Sequence, residues 1–181
     1  MKISIIGTGY VGLVSGTCFA ETGNQVICVD IDENKLQRLR DGIVPIYEPQ
    51  LDVLFERNIR QGRLTFTNSL KEAVDQSDLI FLALPTPPGE DGSADLSYVL
   101  NVAKELGKII TEYKVIVDKS TVPVGTAEKV TAAVQENARV DFDVVSNPEF
   151  LREGFAVEDF LKPDRVVIGT SSEKAKKVME E

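Results

Sequence analysis

After Met1 the chain reads Lys2-Ile-Ser-Ile-Ile-Gly7-Thr-Gly9-Tyr-Val-Gly12, followed by an apolar run and by Gln25-Val-Ile-Cys-Val-Asp30. A short strand, a glycine-rich turn, a helix and a second strand ending in an acid are typical of a dinucleotide-binding βαβ unit. Gly7 permits the tight turn, Gly9 lets backbone N–H groups approach a pyrophosphate, and Gly12 lets the helix pack closely. The pattern predicts a cofactor pyrophosphate at the start of the first helix.

Asp30 closes the second strand, where the ribose of the bound cofactor would arrive. A carboxylate accepts hydrogen bonds from two ribose hydroxyls, and it repels a 2′-phosphate because both groups are negatively charged. We therefore expect NAD to be preferred over NADP. An ordinary glycine-rich turn with a surface aspartate is the alternative interpretation.

Composition narrows the classes of protein that fit this chain. Its 181 residues are 43% hydrophobic, which suffices for one α/β core and leaves little for a second domain. Asp and Glu number 29 against 20 Lys and Arg, so we expect no nucleic-acid partner. The chain has no histidine and two cysteines, which disfavours a metal site and leaves acid–base work to carboxylates, Lys, Tyr or water.

The two cysteines fall inside predicted elements, Cys18 on the apolar face of the first helix and Cys28 within the second strand. Both are predicted to be buried thiols that pack as small apolar groups. The apolar run up to Ala20 resembles a signal peptide, but cleavage there would delete the turn that the second strand completes. We expect a reduced, cytoplasmic setting without a membrane partner.

Short β-branched runs alternate with helical patterns along the chain. The predicted strands are Ile3–Gly7, Val26–Asp30, Leu64–Thr67, Leu79–Leu84, Val115–Asp118, Phe142–Ser146 and Arg165–Gly169. The helical patterns after the first helix are Asp32–Arg40, Leu51–Gln61, Leu70–Gln76, Leu96–Thr111 and Ala127–Asn137. This alternation predicts an α/β fold, a doubly wound, mostly parallel Rossmann-type sheet that forms a single domain over residues 1–181.

Several polar motifs follow predicted strands, and in an open α/β sheet ligands bind beyond the carboxyl ends of the strands. The segments expected at that edge are Gly7–Gly12, Asp30, Pro85–Pro87, Ser120–Thr126 and Asn147–Gly154. Singly, each has an ordinary explanation as a turn, a helix cap or a solvated charge. Their joint position favours a ligand site.

The same segments resemble the N-terminal domain of the UDP-glucose/GDP-mannose dehydrogenase family. The matching motifs are GTGYVGLV from Gly7, YEPQL from Tyr47, PTPP from Pro85, KSTVPVGTA from Lys119 and SNPEFLREG from Ser146. They occur in register over essentially the whole chain. The resemblance implies NAD as cofactor and a nucleotide sugar as substrate. The expected reaction is the oxidation of UDP-glucose to UDP-glucuronate, and GDP-mannose or another nucleotide sugar is the alternative substrate.

The resemblance also implies roles for individual residues. Those that would bind NAD are Gly7, Gly9, Tyr10, Val11, Gly12, Asp30, Lys35, Thr86, Thr121 and Glu153. Those that would line the nucleotide-sugar site are Glu149, Phe150, Leu151, Arg152 and Glu153. Glu149 would be the base that activates water, and Thr121 would help to hold that water or the cofactor.

In the family the resemblance points to, two oxidations convert a primary alcohol to a carboxylate, and a cysteine thioester is hydrolysed at the end. The nucleophilic cysteine and an assisting lysine come from later domains, whereas Cys18 and Cys28 match positions in the nucleotide-binding unit. We therefore expect the chain to be the NAD-binding part of a longer enzyme, inactive alone. The family is expected to form homodimers mostly through later domains, so this part alone is expected to be monomeric.

Other classes fit the sequence less well. A stand-alone NAD(H)-sensing or scaffolding module needs only the glycine turn and Asp30, and it leaves SNPEFLREG unexplained. Short-chain dehydrogenases place Lys four residues after a catalytic Tyr, and no Tyr of this chain has a Lys at that position. A hydroxyacid or hydroxyacyl-CoA dehydrogenase stays open, although KSTVPVGT and NPEFLREG argue against it.

Overall fold

Six short strands form the centre of the molecule in the computed structural model, which describes residues 1–89 and 92–181. They are β1 (Lys2–Ile6), β2 (Gln25–Val29), β3 (Leu64–Thr67), β4 (Leu79–Leu82), β5 (Lys114–Asp118) and β6 (Phe142–Ser146). All pair in parallel in the order β3-β2-β1-β4-β5-β6. This is the strand order of doubly wound dinucleotide-binding folds, in which the order reverses between β1 and β4. The predicted fold class is confirmed.

Helices cover both faces of the sheet. In chain order they are α1 (Tyr10–Glu21), α2 (Glu33–Arg40), α3 (Leu51–Arg60), α4 (Leu70–Asp75), α5 (Ser97–Ile109), α6 (Thr126–Gln135), α7 (Ala156–Leu161) and α8 (Glu173–Glu180). Side chains at the starts of three of them accept a backbone N–H, which satisfies a donor that the helix itself leaves unpaired: Asp32 for α2, Ser69 for α4 and Ser172 for α8. Local sequence therefore sets these helix starts.

Two apolar layers hold the helices on the sheet. On one face, residues of α1, α2 and α3 such as Leu13, Leu36 and Phe55 pack against alternate residues of the strands. On the other face, α4, α5 and α6 pack through residues such as Val74 and Val130. Since both faces are covered, the strands can be nearly continuous apolar runs, as in parallel sheets generally.

A third, smaller cluster positions the residues that follow β6. It joins the outer side of α1 to α3 and α7, and its fully buried members are Val14, Cys18, Leu51, Leu54, Ala156 and Val157. The helix α7 is therefore fixed against α1, the helix that begins at the glycine turn.

The prediction of a strand at Arg165–Gly169 is wrong. Only Gly169 pairs with a strand, through an isolated antiparallel bridge to Ser146 in which the two backbone bonds measure 2.8 and 2.9 Å. Val166 is 63% exposed and Ile168 is only partly buried against the core, so the β-branched run lies at the edge of the core and forms no strand. The β-branched composition of this run is typical of a buried strand, but no neighbouring strand pairs with it along its length.

The remaining differences concern boundaries and two unpredicted helices. Three of the predicted strands extended one or two residues too far at the edge, so Gly7, Asp30 and Leu84 lie after their strands. The helices α7 and α8 are additional to the helical patterns predicted above. In the irregular loop that was expected after β4, residues 90 and 91 lie outside the described residues. None of the helices in the described parts of the chain has the length and apolar character to cross a membrane.

Candidate functional site

The turn between β1 and α1 is built so that only glycine fits at two positions. Gly7 has a φ of +106°, a conformation that L residues rarely adopt, and a Cβ there would lie 2.3 Å from the carbonyl oxygen of Ala83. A Cβ at Gly12 would lie 2.0 Å from the carbonyl oxygen of Gly7. The first turn of α1 therefore packs directly on the backbone of the loop that precedes it.

Gly9 differs from its neighbours because the space around it is open. A Cβ at this position would meet nothing within 4 Å. Gly9 is the N-cap of α1, and no side-chain hydrogen bond caps this helix start. No side chain therefore caps the first N–H groups of α1, which carry the positive end of the helix dipole, and there is open space beside Gly9. An anionic pyrophosphate fits such a cradle, so the residues present are suited to NAD.

The Asp30 carboxylate is held in place at the end of β2. Its Oδ2 accepts hydrogen bonds from the Thr8 hydroxyl, the Thr8 N–H at 3.2 Å and Lys35 Nζ at 3.0 Å, and its Oδ1 accepts from the Asp32 N–H at 3.1 Å. Burial opposes ionisation, but these hydrogen bonds and the Lys35 charge outweigh it and hold the pKa of Asp30 below its usual range. An ionised, preoriented carboxylate therefore stands beside the glycine turn.

The loops that follow β4 and β5 are joined by hydroxyl groups. Thr86 Oγ1 donates to the carbonyl oxygen of Thr121 at 2.8 Å. Ser120 Oγ accepts from the Leu84 N–H at 3.0 Å and donates to the carbonyl oxygen of Leu82 at 3.2 Å. The structure thus brings Thr86 and Thr121 together, in agreement with the prediction that their two segments lie at the same sheet edge.

Lys119 is a buried cation that sequence reasoning did not single out. Its side chain is next to Asn147, whose Oδ1 accepts from Nζ at 3.2 Å, and Nζ lies 5.6 Å from the centre of the Phe160 ring. Burial lowers the pKa of Lys119 to about 8, and the charge of Glu149 works in the opposite direction. The lysine therefore anchors the start of the segment that contains Glu149.

Asp118, the last residue of β5, is a second buried ionisable group at this edge. Its Oδ1 accepts the Ser120 N–H at 3.2 Å, while its Oδ2 is buried without a hydrogen-bond partner among the described residues. Burial raises the pKa of Asp118 to about 6, against the effect of the Ser120 N–H. Asp118 was not identified from the sequence as a candidate site residue.

The segment between β6 and α7, residues 147–155, carries the predicted nucleotide-sugar residues. Glu149 is partly exposed, and its Oε2 accepts the Leu151 N–H at 2.6 Å. Leu151 packs against the cluster between α1 and α7. Arg152 binds the Asp159 carboxylate with both Nε and Nη2, at 3.0 and 2.6 Å, and Phe150 is half exposed. Within this segment Glu149 is thus partly exposed, while Phe150, Glu153 and Phe155 are exposed.

Glu48 links this segment to the glycine turn. The residue is only 4% exposed. Its Oε2 accepts from the Tyr10 hydroxyl and from the Gly154 N–H at 2.8 Å, and its Oε1 accepts from the Ala156 N–H at 2.9 Å. Burial and the bond to Glu48 raise the pKa of Tyr10. The YEP motif therefore has a structural task that the sequence alone did not reveal.

The cysteines do not contribute to this site. Both are buried, and burial raises the pKa of each thiol to about 12. A thiol of this kind is not a nucleophile at neutral pH. Within residues 1–89 and 92–181, no group of three or more Cys, Asp or Glu side chains is arranged to hold a metal ion.

Comparison with known proteins agrees with this geometry. The profile described as UDP-glucose/GDP-mannose dehydrogenase family, NAD binding domain, matches residues 1–181. The chain belongs to this family. Its cofactor is accordingly NAD, as the glycine turn and Asp30 predicted.

Individual family members are similar over nearly the whole chain. UDP-glucose 6-dehydrogenase TuaD of Bacillus subtilis is 56% identical over 182 residues, covering 99% of the chain and 40% of that protein. A UDP-glucose dehydrogenase structure from Pyrobaculum islandicum superposes with a TM-score of 0.94 at 47% identity, covering 98% and 42%. A GDP-mannose dehydrogenase structure from Pseudomonas aeruginosa gives 0.92 at 37%, covering 99% and 43%. The chain therefore spans about two fifths of the length of these relatives.

Proposed function

We propose that this family member takes part in the NAD-dependent oxidation of UDP-glucose to UDP-glucuronate, as the cofactor-binding part of the enzyme. The observation that carries the proposal is that segment 147–155 lies at the same sheet edge as the glycine turn and is tied to it through Glu48. A module that only sensed NAD(H) would not need this second segment. The similarity to proteins named UDP-glucose 6-dehydrogenase supports the choice of sugar nucleotide.

The chain's own residues would bind and orient the cofactor. The open N-terminus of α1, with Gly9, Tyr10, Val11 and Gly12, would hold the pyrophosphate, and Asp30 with Lys35 would hold the adenosine ribose. Thr86, Thr121 and Glu153, which belong to the loops after β4, β5 and β6, would contact the other half of NAD. When held there, NAD would supply the hydride acceptor for the oxidation of the substrate.

Glu149 would act as a general base. It is a partly exposed carboxylate at the edge, one oxygen is fixed by the Leu151 N–H, and the buried charge of Lys119 lies nearby. With no histidine in the chain, a carboxylate is the natural group to accept a proton from the water that hydrolyses a thioester. Thr121 would help to hold that water. The cysteine that forms the thioester would come from outside these residues, since Cys18 and Cys28 are buried.

The sugar-nucleotide site would be lined by Phe150, Leu151 and Arg152, together with Glu149 and Glu153. Leu151 would contribute its backbone, because its side chain packs against the cluster between α1 and α7.

Two free, buried thiols suit a reducing, cytoplasmic setting. The complete enzyme would be a homodimer.

Two proteins would test the proposed activity, the chain itself and a chimera in which it replaces the matching N-terminal two fifths of the Bacillus subtilis relative. We expect the chain to bind NADH without producing it from NAD and UDP-glucose. The chimera should release two NADH per UDP-glucose. Sustained NADH production by the chain alone would contradict the need for an external nucleophile. A chimera active with GDP-mannose and inactive with UDP-glucose would contradict the choice of substrate.

A further inference from the structure

The carboxylate of Glu48 lies where two halves of the proposed cofactor site meet. One partner, Tyr10, is the first residue of α1, which would hold the pyrophosphate. The others, the N–H groups of Gly154 and Ala156, flank the start of α7, and Gly154 directly follows Glu153. Glu48 therefore contacts elements that are 38 and 106 residues away in the chain. No local signal would place these three partners on one side chain.

The chemistry of this contact requires a carboxylate. All three partners are donors, one hydroxyl and two N–H groups, and they use both oxygens of Glu48. Glutamine at this position would offer one acceptor oxygen and an NH₂ group that faces a donor. It would keep either the Ala156 bond or the pair of bonds to Tyr10 and Gly154. The side chain is nearly fully buried, so water cannot easily replace a lost partner.

The two elements that Glu48 joins lie at different parts of a bound dinucleotide. Asp30, which follows β2, would hold the adenosine half over the β1-β2-β3 side of the sheet, so the nicotinamide half would lie over the β4-β5-β6 side. The α1 N-terminus would hold the pyrophosphate between the two halves, and Glu153 follows β6 on the nicotinamide side. The position of Glu153 relative to the glycine turn is thus set by the Glu48 contacts.

We infer that Glu48 is a positioning residue for the cofactor, which holds the Glu153 end of the site at the correct distance from the pyrophosphate cradle. This inference rests on the proposed function, because it uses the proposed contact of Glu153 with NAD. Since it is almost fully buried, Glu48 would not itself reach the cofactor or the substrate. It acts through Tyr10 and through the backbone of Gly154 and Ala156.

The experiment compares two ligands that share the adenosine diphosphate but differ at the nicotinamide end. NADH and ADP-ribose are titrated into the wild-type chain, Glu48→Gln and Tyr10→Phe, with folding checked by thermal denaturation. Glu48→Gln should weaken NADH binding about tenfold and ADP-ribose binding less than twofold. Tyr10→Phe, which removes one hydroxyl and keeps both backbone bonds, should weaken NADH binding about threefold. It keeps the test valid if the glutamine variant does not fold.

A purely structural role for Glu48 would lower the affinity for both ligands by the same factor, because less protein would be competent to bind either. That result, or unchanged NADH affinity in both variants, would overturn the inference and leave the proposed function standing. Absence of NADH binding by the folded wild-type chain would overturn the proposed function itself, and the role of Glu48 with it.

Discussion

Alanine at position 12 should lower the free energy of unfolding by about 3 kcal/mol and abolish measurable NADH binding. The new Cβ would lie 2.0 Å from the Gly7 carbonyl oxygen, a backbone atom that cannot rotate away. The helix α1 would have to move off the turn, which removes the pyrophosphate cradle. Thermal denaturation and an NADH fluorescence titration measure the two effects.

Two matched alanine variants separate stability from binding. Gly9→Ala adds a methyl group to open space at φ −70°, so the unfolding temperature should stay unchanged while NADH binds about 10- to 100-fold more weakly. Gly107→Ala, in α5, would bring Cβ within 2.2 Å of the Val134 carbonyl oxygen, so it should destabilise the fold without changing the NADH affinity of the folded protein. Full NADH affinity in Gly9→Ala would show that the glycine turn is not the pyrophosphate site.

The second large effect is expected at Glu149, in the chimera described above. Glu149→Gln should lower the steady-state rate by about 10²- to 10⁴-fold, the usual cost of removing a general base. The hydride steps do not need this base, so a covalent cysteine adduct of the substrate should accumulate. Rapid quenching of a single turnover, followed by mass spectrometry of the intact protein, would detect it.

Glu158→Gln is the matched control for this substitution. It makes the same chemical change on an exposed residue of α7, and we expect it to leave both the rate and the adduct level unchanged. If Glu149→Gln slows the reaction without accumulating an adduct, Glu149 positions the substrate and does not activate water. An unchanged rate would make it an ordinary surface charge.

The glycine turn could be predicted from the sequence because its rules are local. Gly7 and Gly12 follow from the backbone conformation of one short turn, and Asp30 follows from the end of the next strand along the chain, because parallel strands bring their carboxyl ends to one edge. The prediction that Thr86 and Thr121 lie together follows from the same rule. Boundaries were less accurate because a strand pattern does not show where pairing stops.

Contacts between distant segments could not be predicted in this way. Glu48 has two partners that lie 106 and 108 residues further along the chain, and Lys119 contacts Asn147 and Phe160 of α7. The sequence signal was present, since YEP and KST were among the motifs noted. The strand predicted at Arg165–Gly169 was wrong for a different reason. Its composition is typical of a strand, but only Gly169 pairs with a neighbouring strand.

The role of Asp30 is tested most directly by a comparison of NADH and NADPH binding to the chain, with Asp30→Asn and Asp32→Asn as variants. The wild-type chain should bind NADH at least about tenfold more tightly than NADPH, because Asp30 would accept the ribose hydroxyls and repel a 2′-phosphate. Asp30→Asn should lose most of this preference, since it also frees the Lys35 ammonium to meet the phosphate. Asp32→Asn keeps the cap of α2 and removes a nearby charge, so it should retain the preference. Equal or tighter binding of NADPH by the wild-type chain would show that Asp30 does not bind the cofactor ribose.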